Sequence, residues 1–101
     1  MLFALICKDK PNQLQVRLDN RPAHVEYLRA LNEKGTLKIA GPFLNDEGKP
    51  YGSLIVIEAA DKNEAASIGA DDPYAKAGLF ESVRIRAWNW TFNNPDNPAN
   101  P

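Results

Sequence analysis

Two stretches of this chain, Leu2 to Cys7 and Leu54 to Ile57, are apolar at every position. A strand with one wet face alternates apolar and polar residues, so short unbroken apolar runs belong to strands covered on both faces. With 101 residues the chain can enclose one hydrophobic core and not two. The fold must therefore bury both faces of these strands within a single domain or between copies of it.

The remaining elements are read around those strands. Lys8-Asp9-Lys10-Pro11 closes the first run, and Gln13 to Leu18 can form a short helical turn with Leu14 and Leu18 at i, i+4. Asp19-Asn20-Arg21-Pro22 interrupts that turn, and Pro22 suits the first position of a new helix because its missing N–H would be unpaired there anyway. The new helix runs to Lys34 and stops at Gly35, with His24, Leu28 and Leu31 on one face beside Tyr27. His24 is thus expected in a first turn, aimed inward.

Thr36 to Phe43 reads as an edge strand with Leu37, Ile39 and Gly41 on one side, and Gly41-Pro42 forces an irregular exit. Asn45 to Gly52 is a hairpin loop, and Ser53 to Ala60 is the third strand. Asp61 with Glu64 forms a capping box for a second helix that turns Ala65, Ala66 and Ile68 inward. Asp71-Asp72-Pro73-Tyr74 breaks it and starts a short turn ending at Gly78. Phe80 to Phe92 is the last strand, with Val83, Ile85 and Ala87 on one face and Arg84, Arg86, Trp88 and Trp90 on the other. Residues 93–101, rich in Asn and Pro, have nothing to bury and are expected to be a flexible tail, so the domain is assigned to residues 1–92.

The order is β-α-β-β-α-β, an α+β ferredoxin-like arrangement on a four-stranded antiparallel sheet. Two helices cover only one face of such a sheet, yet two strands are apolar on both faces and the last carries its tryptophans opposite the core side. A homodimer packed sheet against sheet would cover the second face.

Composition narrows the partners. With 12 basic and 13 acidic residues the net charge is −1, which draws in neither nucleic acid nor an anionic membrane. Cys7 is the only cysteine and lies in an apolar run, where a thiol packs as a small hydrophobe. No apolar stretch approaches the roughly 20 residues of a membrane helix. The first residues lack the basic flank and cleavage site of a leader, so a cytoplasmic protein is expected.

No phosphate loop, nucleophile elbow or metal-spaced Cys/His cluster occurs, and one histidine cannot hold zinc unaided, so neither cofactor nor metal is expected. The chemistry falls to single residues: Arg21 and His24 at one helix start, Gly41 and Pro42 leaving a strand, Ser53 opening another, and Asp72 with Tyr74 after the second helix. His24, near a helix N-terminus that favours the neutral ring, is suited to act as a general base, and equally can be a packed core histidine. Asp72 before Pro73 reads as an N-cap or as a carboxylate partner. Arg21 can clamp an anion or pair on the surface.

Taken as an ordered set, Arg21-Pro22-Ala23-His24 with Tyr27-Leu28, Ala40-Gly41-Pro42, Gly52-Ser53 and Asp72-Pro73-Tyr74 with Ala77-Gly78 resembles the YCII-related family from about Met1 to Trp90. The resemblance implies a dimeric α+β barrel and a site centred on His24 and Asp72. Arg21, Gly41, Pro42, Ser53 and Tyr74 would hold a small-molecule substrate. It also implies a cofactor-independent lyase, dehydrohalogenase or isomerase acting on a small, cyclic compound; a non-catalytic binding module or a structural dimerising domain are the rival readings. One topological condition attaches. Either the Asp72 segment folds back toward the first helix, a partner subunit supplies the carboxylate, or Asp9 takes Asp72's place.

Overall fold

The computed structural model describes residues 1–96. Its elements are β1 (Leu2–Asp9), α1 (Leu14–Glu33), β2 (Leu37–Leu44), β3 (Pro50–Glu58), α2 (Lys62–Ala70), the single turn α3 (Pro73–Lys76) and β4 (Phe80–Trp88). The four strands form one antiparallel sheet in the order β2-β3-β1-β4, the ferredoxin-like α+β layout. The two unbroken apolar runs are thus the two central strands. Phe3, Leu5 and Cys7 of β1 and Ile55 and Ile57 of β3 point toward the helices and form the core with Ala59 and Ala65. Among the described residues, no helix is long and apolar enough to cross a membrane.

Several expectations change. The short turn and the helix after Pro22 are one continuous helix, with Pro22 in its interior. A proline there removes one backbone hydrogen bond. Pro22 and Leu18, whose carbonyl loses that donor, both lie on the exposed side, where the loss costs least. One turn earlier the Asn20 side chain donates to the Val16 carbonyl at 2.8 Å. The helix ends as expected, with Gly35 at φ 78° and its N–H donating to the Asn32 carbonyl.

Leu37, Ile39 and Gly41 do not share a face. Leu37 pairs with Ile57 but Ile39 with Val56, so a bulge flips the strand, sending Leu37 to the core and Ile39 to the bare side. Ala66 is exposed, leaving Ala65 to fill the inward position of α2. The last strand stops at Trp88, short of Phe92. Of the expected tail, Asn94 donates to the Trp90 carbonyl and Asp96 lies 3.7 Å from Lys38, while residues 97–101 lie outside the described residues.

Candidate functional site

An unbroken α1 carries Arg17, Arg21 and His24 at i, i+4 and i+7, with Arg17 and His24 buried against the sheet and Arg21 exposed between them. Arg17 is 3% exposed. Its Nε donates to Asp9 Oδ2 at 2.7 Å, and its Nη2 donates to Asp9 Oδ1 at 2.8 Å and to Ser53 Oγ at 3.0 Å. Asp9 ends β1, and Ser53 sits in β3 opposite Cys7, so two adjacent central strands hold one guanidinium. Burial alone would weaken that charge, but the bonds and field of Asp9 prevail and hold Arg17 above its ordinary value.

Seven residues on, His24 Nδ1 lies 2.9 Å from Asp72 Oδ1 and 3.0 Å from Oδ2, with Asp72 only 1% exposed. The Asp72 segment does fold back: α3 packs against α1, and Tyr27 Oη donates to the Ile68 carbonyl at 2.7 Å, tying the end of α2 to α1. Asp72 is also the N-cap of α3, Oδ1 accepting the Tyr74 N–H at 2.9 Å. Capping and pairing, set against each other in the sequence, coexist because a carboxylate has lone pairs for both. In the neutral ring, Nδ1–H donates to the carboxylate and the lone pair is on Nε2. Among the described residues Nε2 has no protein hydrogen bond and no buried side-chain polar atom lacks a partner. Nε2 therefore reaches the cleft that His24 lines.

Tyr74 links the two pairs. Its ring stacks on His24, centroids 3.9 Å apart and planes 14° apart, and the Arg17 guanidinium carbon lies 4.6 Å from the ring centroid. Burial raises the Tyr74 phenol above its usual value against the pull of Arg17 and Arg21, and Asp72 adds to the rise. Beneath the site, burial pushes the Cys7 thiol up to about 12, with Asp72 and Asp9 adding to the rise and Arg17 opposing it.

The cleft has a volume of about 180 Å³ and opens between α1 and the β2 edge of the sheet. It brings together Arg21, His24, Gly41, Pro42, Ser53 and Tyr74, with Asp72 behind His24. Val25, Leu28 and Ile55 complete an apolar wall. A larger cleft of about 330 Å³ runs past Asp9 but includes neither His24 nor Tyr74. No group of three His, Cys, Asp or Glu side chains among the described residues is placed to share a metal ion.

Two sequence expectations need correction here. His24 lies in the middle of α1, not in a first turn, so no helix dipole favours its neutral form; its surroundings are Asp72 and Tyr74 instead. Asp9 is not available to His24, because Arg17 holds it. Arg17 itself went unrecognised. The helical spacing from His24 back to Arg17 was the available signal, hidden by reading Pro22 as a helix start.

A model described as the YCII-related domain matches residues 1–89. The chain is 37% identical over 99 residues to Protein YciI of Escherichia coli O6:H1, covering 91% of this chain and 100% of that one. It is 38% identical over 79 residues to the derivative of benzaldehyde biosynthesis cluster protein C of Emericella nidulans, covering 71% of this chain and 80% of that one. Among solved structures it is similar to the 5-chloro-2-hydroxyhydroquinone dehydrochlorinase of Burkholderia phenoliruptrix AC1100, in complex with 2,5-dihydroxybenzoquinone. That likeness has 38% identity and a TM-score of 0.78 over 88% of this chain and 94% of the other.

Proposed function

The chain belongs to the YCII-related family, and from that premise we propose that it is a cofactor-independent enzyme of dehydrohalogenase, lyase or isomerase type in which His24 moves a proton on a small cyclic substrate. The observation that carries the proposal is the pairing of a buried carboxylate on Nδ1 with an Nε2 left open to a cleft. That arrangement suits a general base, the carboxylate fixing the tautomer and stabilising the imidazolium that forms. The likeness to a dehydrochlorinase supports the reaction class.

The volume supports the substrate class. An apolar cavity of about 150 Å³ takes up benzene, so a cleft of about 180 Å³ admits one substituted ring. In the elimination we propose, the substrate proton passes to Nε2, the electron pair it leaves forms a new double bond, and the leaving group departs with its bonding pair. Charge developing on a ring oxygen would be met by Arg17 and Ser53, which Asp9 holds in place and which line the same cleft. Gly41 and Pro42 form the opposite wall. In this reading Arg17 and Ser53 share the oxyanion role.

The test is chloride release from 5-chloro-2-hydroxyhydroquinone and from other chlorinated hydroquinones, compared between wild type and His24→Gln. Turnover that disappears in the variant supports the proposal; turnover that survives contradicts it. A folded variant and wild type that bind the ring alike, with neither turning it over, would favour the binding-module reading.

A homodimer belongs to the same proposal, in a cytoplasmic setting. Ile6, Ile39 and Trp88 on the face away from the helices are each 38% exposed, beside Leu2 and Leu54. A second copy packed on this face would cover it. Light scattering after size exclusion reads the mass directly, and a stable monomer at micromolar concentration would count against the pairing.

A further inference from the structure

Arg21 lines the His24 cleft yet takes part in no ion pair or side-chain hydrogen bond among the described residues. The other cationic side chain of the lining, Arg17, is neutralised by Asp9. No carboxylate lines the cleft: Asp72 and Asp9, 1% and 8% exposed, are turned to their own partners. The cleft therefore combines an apolar wall of Val25, Leu28 and Ile55 with one uncompensated guanidinium.

From this we infer that the substrate of the cleft is a ring bearing a carboxylate, which Arg21 binds one helical turn from His24. The inference rests on the proton-transfer reading above and names the substrate class for the same site. Residues three apart on a helix have Cβ atoms about 5–6 Å apart, so one substituent of a ring can face Arg21 while another faces Nε2. A guanidinium recognises a planar carboxylate through two parallel hydrogen bonds, a fit that a neutral substituent cannot repeat. Arg21 also acts on Tyr74 in the cleft, lowering the cost of ionising its phenol, so its field is directed into the site. Arg21 would then select among rings rather than perform chemistry.

The experiment uses 2,5-dihydroxybenzoate, its methyl ester and hydroquinone. Calorimetry gives the affinities, and the ring signals of His24, the only histidine, report occupancy of this cleft. The acid is expected to bind about tenfold tighter than the ester, the scale of one charge-assisted contact, and to shift His24. Arg21→Gln should erase that preference, Arg21→Lys should keep part of it, and Arg21 is exposed, so both variants should fold. Equal affinities for acid and ester, a preference that survives Arg21→Gln, or acid binding that leaves His24 unmoved would each overturn the inference. If the neutral rings shift His24 and the acid has no advantage, the carboxylate inference fails while the proton-transfer reading stands. If the acid preference holds but His24→Gln turns over its substrate like wild type, the carboxylate subsite stands and the proton-transfer reading fails.

Discussion

Two buried pairs with a carboxylate hang from one helix and flank one tyrosine, yet they are built to opposite ends. Arg17 and Asp9 form a closed pair, two-pronged and backed by Ser53, whose side chains are 4% and 6% exposed. His24 and Asp72 form an open pair: the carboxylate is fully engaged with the histidine and the Tyr74 N–H, while the far nitrogen of the imidazole meets only the cleft. The closed pair fixes a charge in place at every ordinary pH. The open pair keeps one site in reserve for a proton. Side by side, they show that two buried pairs on one helix can differ in whether an atom is left facing the cleft.

The sharpest way to break the comparison is to remove one member of the closed pair. Asp9→Leu leaves the Arg17 guanidinium buried with its main partner gone, and such losses cost about 3–5 kcal/mol; the urea midpoint should fall accordingly. A loss under about 1 kcal/mol would mean that Arg17 escapes to water and the pair is not closed. In the open pair the cost should move from stability to turnover. Asp72→Asn keeps the cap, because Asn caps about as well as Asp. It removes the charge that supports the imidazolium, so turnover should drop roughly 100-fold or more while thermal stability changes little.

Gly52→Ala strikes the Ser53 end of the closed pair through the backbone. A Cβ at Gly52 would run into the Cys7 carbonyl, which belongs to the ladder of β1 and cannot give way cheaply. Destabilisation of about 1–3 kcal/mol is expected, and chemical denaturation would show it.

Cys7 senses both pairs at once, and its effect is confined to alkaline pH. Its folded thiol holds its proton up to about 12, whereas the unfolded thiol releases it near its ordinary value of 9.0. The folded state thus binds more protons between these limits. The stabilisation is complete below pH 9 and is lost as the pH climbs toward 12, by up to roughly 1.4 kcal/mol per pH unit. Tyr27 and Tyr74, both raised mainly by burial, add the same sign at higher pH. Cys7→Ala should flatten the slope that begins near pH 9, and an unchanged slope would place its origin elsewhere.

Much of this architecture is legible in the residues. Unbroken apolar runs mark β1 and β3 as central strands, the Asp61 capping box opens α2 with its Oδ1 accepting the Glu64 N–H at 2.8 Å, and Gly35 closes α1. Of the residues expected at the site, Arg21, His24, Gly41, Pro42, Ser53 and Tyr74 line one cleft and Asp72 lies behind His24. What the residues concealed depends on events that a local pattern cannot carry. The interior Pro22 is tolerated because the Leu18 carbonyl it leaves without a donor belongs to the exposed side of α1, a fact of burial, and with it went the stripe that includes Arg17. The bulge between Leu37 and Ile39 changes the register after the strand has begun, so alternation alone assigns the wrong face. Asp72 could be read as a cap from its neighbour Pro73, but its second contact comes from a residue 48 positions away.

Everything proposed for the cleft depends on Nδ1 of His24 being committed to Asp72, with Nε2 left with a free lone pair toward the cleft. Because His24 is the only histidine, nitrogen NMR of the ¹⁵N-labelled imidazole reads its tautomer without knowledge of the substrate. The neutral ring is expected to carry its proton on Nδ1, and Asp72→Asn to weaken that preference. A neutral ring with its proton on Nε2 in the wild type would rule out the proposed general base.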